Sequence, residues 1–164
     1  MEIDIRPIQL SDTASFRQAV GSVAREKRFL MTTDAFSLER TTEFVSKNID
    51  NNYAQYVAIS DGEVVGWADI VPKSCPSEKH CGGLGMGIIA PYRGQGLGDR
   101  LLASAIRHSW DIGLTRLQLG VFDDNHRAMA LYQKHGFQHE GTMRHAALID
   151  GNYRDIHLMA QYRV

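Results

Sequence analysis

The segment Arg93-Gly94-Gln95-Gly96-Leu97-Gly98-Asp99 constrains this chain more than any other, because it stands between an apolar strand pattern and an amphipathic helix. A helix start exposes unpaired backbone N–H groups and a partial positive charge, and glycines let a ligand come close to that backbone. A strand, a Gly-rich turn and a helix in that order suit a phosphate or pyrophosphate. A turn that only caps the helix is the plain alternative. Two standard phosphate-binding patterns fail on spacing. No Gly-x-x-x-x-Gly-Lys-Ser/Thr occurs, and Gly94-x-Gly96-x-x-Asp99 lacks the third small residue of the dinucleotide fingerprint. Gly85-x-Gly87-x-x-Ala90 has that pattern but lies inside a strand.

Around this turn the periodicities alternate between two and three to four. Ile3, Ile5 and Ile8 open a strand, and Ser11-Asp12 predicts an N-cap for a helix from Thr13 to Arg25. A second helix follows Ser37, with Phe44, Val45 and Ile49 as its apolar stripe. Tyr56–Ser60 and Glu63–Val71, joined by Asp61-Gly62, read as a hairpin. Residues 72–82 are turn-rich and read as a loop before a strand from Leu84 to Ile89. Leu97, Leu101, Leu102, Ala105, Ile106 and Ile112 give the next helix, which Gly113 ends. A strand over Arg116–Phe122 is followed by a short helix capped by Asn125 and stopped by Gly136. Two last strands, near 137–149 and 153–162, meet at Asp150-Gly151. The order βααβββαβαββ predicts a mixed α/β sheet with helices packed on it, not a doubly wound parallel one.

A chain of 164 residues with 43% hydrophobic and 23% charged residues fits one globular domain. No window approaches the roughly 20 apolar residues of a membrane helix. The first residues, Met1-Glu-Ile-Asp-Ile-Arg-Pro, lack the basic and apolar regions of a signal peptide, so the cytoplasm is the expected compartment and no membrane partner is expected. Acidic and basic residues alternate throughout at a net charge of −1, without the one-sign patch that nucleic acid requires. Cys75 and Cys81, with His80, fall short of a four-ligand zinc set, so reduced thiols and no metal are expected.

The turn resembles motif A of the GNAT superfamily of acetyl-coenzyme A dependent N-acyltransferases, Gln/Arg-x-x-Gly-x-Gly/Ala, through Arg93, Gly94, Gln95, Gly96, Leu97 and Gly98. A second family motif, Asn-x-x-Ala-x-x-Leu-Tyr-x-x-x-Gly-Phe, is matched by Asn125, Ala128, Leu131, Tyr132, Gly136 and Phe137. The final hairpin, with Leu148–Asp155 and Met159, resembles that of a bacterial subgroup acting on amino acids and other small amines. The resemblance covers residues 1–164 as a single domain. It implies a mostly antiparallel sheet of about seven strands, flanked by helices and splayed between its two central strands.

The resemblance further implies that acetyl-CoA is the cosubstrate and that its pantetheine arm lies in the splay. It places Met86, Gly87 and Ile88 on that arm, Arg93 through Asp99 on the pyrophosphate, and Asn125 near the thioester. Asn125 also serves as a plain N-cap. Gly83, Gly85, Gly87 and Gly120 stand inside the two strands concerned, where glycine often marks a close backbone approach. Tyr132, by itself most simply an aromatic core residue, is by the motif match the general acid that protonates the leaving thiolate. Its phenol, of ordinary pKa about 10, stays protonated at neutral pH. Backbone N–H groups near Gly87 and Ile88 would stabilise the oxyanion.

No base is assigned. The Glu that some relatives carry after the motif A helix is replaced by Gly120, and Asp69, His80, Glu26 and His145 are candidates on spacing alone. The acceptor pocket is expected from Arg28-Phe29-Leu30, the second helix and the hairpin near Asp150. The leading expectation is direct acetyl transfer to the primary amine of a small molecule, an amino acid or related amine. A protein N-terminus or lysine as acceptor, a non-catalytic CoA-sensing module and a nucleotide-binding regulator are the alternatives. A homodimer is left open.

Overall fold

Two Asp-Gly turns, at Asp61–Gly62 and Asp150–Gly151, set the two halves of the sheet. The computed structural model describes residues 2–164. Its elements run β1 (Asp4–Pro7), α1 (Thr13–Ala24), α2 (Leu38–Asp50), β2 (Ala54–Ser60), β3 (Glu63–Pro72), β4 (Cys81–Ile88), α3 (Leu97–Asp111), β5 (Arg116–Phe122), α4 (His126–Lys134), β6 (Gln138–Ile149) and β7 (Asn152–Tyr162). That is the order the periodicities predict. The seven strands form one sheet in the order β1-β2-β3-β4-β5-β7-β6. Every neighbouring pair is antiparallel except β4 and β5, which α3 joins as a crossover.

Helices cover both faces. On one, Leu97, Leu101, Leu102 and Ala105 of α3 bury against Ala68 and Ile70 of β3 and Leu117 and Leu119 of β5. On the other, Phe16 and Val23 of α1 and Val45 of α2 pack over Val57 and Trp67. Phe16 meets Trp67 edge-on at 5.9 Å. Each fully buried side chain of this size contributes roughly 1.5–3 kcal/mol, so the two layers hold the sheet between them.

Three local expectations are corrected. Asp12 does not cap α1. A short 3-10 turn over Leu10–Asp12 runs straight into the helix, so the Asp12 carboxylate reaches back to the Gln9 N–H at 2.8 Å and pairs with Arg6 at 2.7 Å. On α2, Ile49 is 41% exposed and Asn48 is 1% exposed. The spacing Thr41, Val45, Asn48 follows the helical repeat, and Asn48 is accommodated by a 2.8 Å bond to Gln55 Oε1. β4 begins at Cys81 and not at Leu84, because residues 81–83 still pair with β5. Both cysteines are free thiols. Among the described residues no helix is long and apolar enough to cross a membrane.

Candidate active site

The parallel pairing of β4 with β5 covers only Cys81, Gly82 and Gly83 against Arg116, Leu117 and Gln118. Beyond Gly83 the strands separate. A cleft of about 460 Å³ fills the gap and reaches both faces of the sheet. In a strand successive N–H groups point to opposite sides. The Ile89 N–H donates to Val65 on β3, so the Ile88 N–H is turned the other way, into the gap. Met86, Gly87 and Ile88 all line this wall.

The glycines of β4 serve a purpose the sequence does not reveal. A Cβ on Gly87 would stand 2.5 Å from Cη2 of Trp67, and one on Gly85 would stand 3.2 Å from Oδ1 of Asp69. These glycines admit the neighbouring strand's side chains, and the ligand gap opens at their edge. Gly120, across the gap, would bring a Cβ within 3.0 Å of Ile156.

At the mouth of the cleft the chain turns through Gly94 and Gly96, both at left-handed φ near +78°, and enters α3. Only glycine holds such angles without strain. The N–H groups of residues 94–99 donate to no backbone carbonyl among the described residues. They leave at the start of α3 a cluster of unpaired backbone donors beside the cleft. Gly98 lets α4 come close, with Leu131 3.2 Å from its would-be Cβ. Leu97 anchors the turn in the core, and the Gln95 amide reaches the Pro91 carbonyl at 3.4 Å.

The charged members of the motif, Arg93 and Asp99, also line the cleft, but each is already paired within the protein. The Arg93 guanidinium donates to the Ile88 carbonyl at 2.8 Å, grips both oxygens of Glu26 and lies 4.7 Å from the Phe29 ring centre. Arg93 therefore braces the turn against the end of α1, and Arg93 holds the Glu26 carboxyl below the ordinary glutamate range. The Asp99 carboxylate accepts from Lys134 at 2.8 Å and His135 at 2.9 Å, which lowers its pKa and ties α3 to α4. Two cations not singled out in the sequence, Arg127 and Lys134, line the cleft beside the glycine turn, with Arg127 3.2 Å from the would-be Cβ of Gly94. Arg127 falls inside the second motif at an unspecified position, so no pattern marked it.

Asn125 caps α4 by accepting from the Ala128 N–H at 3.2 Å and also lines the cleft. Tyr132 lies on the inner face of α4, 8% exposed, edge-on to Phe137 at 6.0 Å and open to the cleft. Burial pushes its phenol up to about 12. The opposite end of the cleft is apolar, formed by Val23, Phe29, Leu30, Met31, Phe122 and Ile156. Arg154 fixes this wall. It pairs with Asp124 at 2.6 Å, donates to the carbonyls of Lys27 and Arg28 at 3.3 Å, and covers the Phe122 ring.

Of the base candidates, Glu26 is held by Arg93. His80 sits beside Cys81 at the closed end of β4, 3.4 Å from its sulfur. His145 lies on a bulge of β6, stacked on Tyr153 at 4.4 Å outside the cleft.

A mixed sheet split at its centre, with free helix-start amides at the mouth and a buried phenol on one wall, is the architecture of an N-acyltransferase. Residues 23–137 match the acetyltransferase (GNAT) family, and the chain belongs to that family. It is 33% identical over 111 residues to the L-amino acid N-acetyltransferase AaaT of Escherichia coli K12, a match covering 66% of this chain and 68% of that protein. The spermidine N(1)-acetyltransferase of the same organism is 27% identical over 156 residues, covering 93% and 82%. The structure of a GNAT-family acetyltransferase from Streptococcus pneumoniae superposes with a TM-score of 0.91 at 31% identity, covering 99% of this chain and 100% of that one.

Proposed function

We propose that the protein transfers an acetyl group from acetyl-CoA directly to the primary amine of a small molecule, an amino acid or related amine, within one domain spanning residues 1–164. The split between β4 and β5 carries the reading, because it joins the glycine turn at the start of α3 to an apolar chamber. The residues present fit the cosubstrate. Free amides at residues 94–99, with Arg127 and Lys134 beside them, suit its pyrophosphate end. Met86, Gly87 and Ile88 suit the pantetheine amides, and Asn125 keeps spare hydrogen-bonding capacity near the thioester. Bound there, acetyl-CoA supplies an activated acyl carbon.

The chain's own groups then act on that carbon and its leaving sulfur. The Ile88 N–H, turned into the gap, donates to the developing oxyanion. Tyr132 donates its phenolic proton to the departing sulfur and recovers one from the attacking nitrogen. The apolar chamber of Phe29, Leu30, Met31 and Phe122 holds the acceptor's body and excludes water. Support for a small acceptor comes from the apolar lining of this chamber and from the two relatives that act on amino acids and spermidine.

The test is to incubate the purified protein with acetyl-CoA and a panel of amino acids, polyamines and aminoglycosides while following free thiol. Turnover with at least one small amine is expected. Acetylation of a peptide with every small amine inert would replace this reading by a protein acceptor. Tight CoA binding with no turnover on any acceptor would replace it by a sensor.

A further inference from the structure

The central strands β3, β4 and β5 contain two carboxylates. Glu63, at the hairpin end, accepts from Ser15 Oγ. The Asp69 carboxylate has no hydrogen-bond or ion-pair partner among the described residues, and burial raises its pKa. Near the cleft, Glu26 is engaged by Arg93, Asp99 by Lys134 and His135, Asp124 by Arg154, Asp150 by Lys27 and Asp155 by the His145 N–H. A carboxylate buried without a partner is costly, and such groups cluster where chemistry needs them.

Its placement is specific. Asp69 pairs in register with Gly85, which lines the cleft, and Oδ1 lies 3.2 Å from where a Gly85 Cβ would be. Any other residue at Gly85 would put a side chain between the carboxylate and the cleft. The fold seals two polar atoms nearby without partners, Asn48 Oδ1 and Gln55 Nε2, and the Asp69 oxygens are not among them. They therefore retain an opening, although the residue is only 9% exposed.

We propose that Asp69 is the proton acceptor of the transfer, reached from the acceptor amine across Gly85 through one water. The inference rests on the acetyltransferase reading above. The acceptor enters as an ammonium, and Asp69 takes its first proton. The freed nitrogen lone pair forms the C–N bond to the acyl carbon, and the C–S bond breaks. Tyr132 gives its proton to sulfur and receives the nitrogen's second one, so only the proton on Asp69 leaves to solvent. The groups facing Asp69 are Gln55 of β2 and Gly85 of β4, with Asn48 of α2 behind Gln55, and none of them titrates. Burial raises the carboxyl to about 7, where a base is half deprotonated near neutral pH.

Asp69→Asn preserves shape and removes the base. With the most active amine of the panel, kcat is expected to fall about 10²–10⁴-fold. The parent's loss of kcat as pH falls through 7 should be missing in the variant. Its Kd for acetyl-CoA should equal the parent's, which reports an intact fold. Parent-like kcat with the same acid limb overturns the assignment. A parent inert toward every amine would sink the small-amine reading instead. Release of CoA from acetyl-CoA by water, compared in the two proteins, then decides on Asp69, with equal rates overturning it.

Discussion

Replacing Tyr132 with Phe removes one oxygen and leaves the ring against Phe137. The hydroxyl has no protein partner that would lower its pKa, and burial alone moves it from 10 to about 12. That shift disfavours the ionised form by about 2.7 kcal/mol, so at pH 8 the ionised fraction is on the order of 10⁻⁴. An alkyl thiol with a pKa of about 8.5 would be a poor base toward such a phenol in water. The same burial must therefore raise the proton affinity of the departing sulfur, which the apolar chamber provides. Loss of a general acid costs about 10²–10⁴ in rate, or roughly 3–5 kcal/mol of barrier. Thermal stability should change by less than about 1 kcal/mol, since no hydrogen bond is lost. The assay is initial-rate thiol release from pH 6 to 10, with KM for acetyl-CoA measured at each point. The expected result is a kcat lowered at every pH, a KM within a few-fold of the parent's, and no alkaline limb in the parent that Tyr132 causes. Equal turnover by Tyr132→Phe at every pH would refute the general-acid role. A parental limb near pH 9–10 that vanishes in the variant would refute the burial argument.

Three further changes probe the surroundings. Gly87→Ala places a methyl 2.5 Å from Trp67, and overpacking of this kind costs about 1–3 kcal/mol. A Tm lower by on the order of 2–12 °C is expected in a calorimetric scan, and an unchanged Tm would show that the indole moves freely. Arg127→Ala should weaken acetyl-CoA binding by about fivefold to tenfold at low ionic strength and flatten the salt dependence of Kd, because an exposed cation is screened. Calorimetric titrations at two salt concentrations check this. The Arg6 bond to Asp12 holds that carboxyl below its ordinary pKa, so its stabilisation is present above about pH 4 and disappears as pH falls through the lowered value. Asp12→Asn should lose about 1–2 kcal/mol at pH 7 and converge with the parent in strong acid, as read by urea denaturation.

Much of this was legible in the chain. The Asp-Gly turns, the three-to-four spacing of α3 and the cap at Asn125 are local signals, and local signals determined the element order. The glycines of the first motif and Asn125 of the second line one cleft because they act through backbone geometry near themselves. What stayed hidden depends on partners far apart in sequence. Arg93 meets Glu26 across 67 positions, so its charge is already paired where it lines the cleft. Gly85 and Gly87 read as ligand space until the register with β3 put Asp69 and Trp67 over them. Asn48 displaced Ile49 from the buried face, with its amide N–H donating to Gln55 Oε1.

The three-residue bond between β4 and β5 also reverses the usual dynamics of a sheet. Middle strands ordinarily exchange their amide hydrogens slowest, since only near-global opening frees them. Here the amides of Ile88 and its neighbours facing the gap belong to the middle of the molecule yet have no strand to bond, so they should exchange early in the empty protein. Saturation by CoA would add about 2.7 kcal/mol of stability at a hundredfold excess over Kd. The slowest-exchanging amides would then shift toward the centre, and ligand occupancy would be readable as protection of the sheet itself.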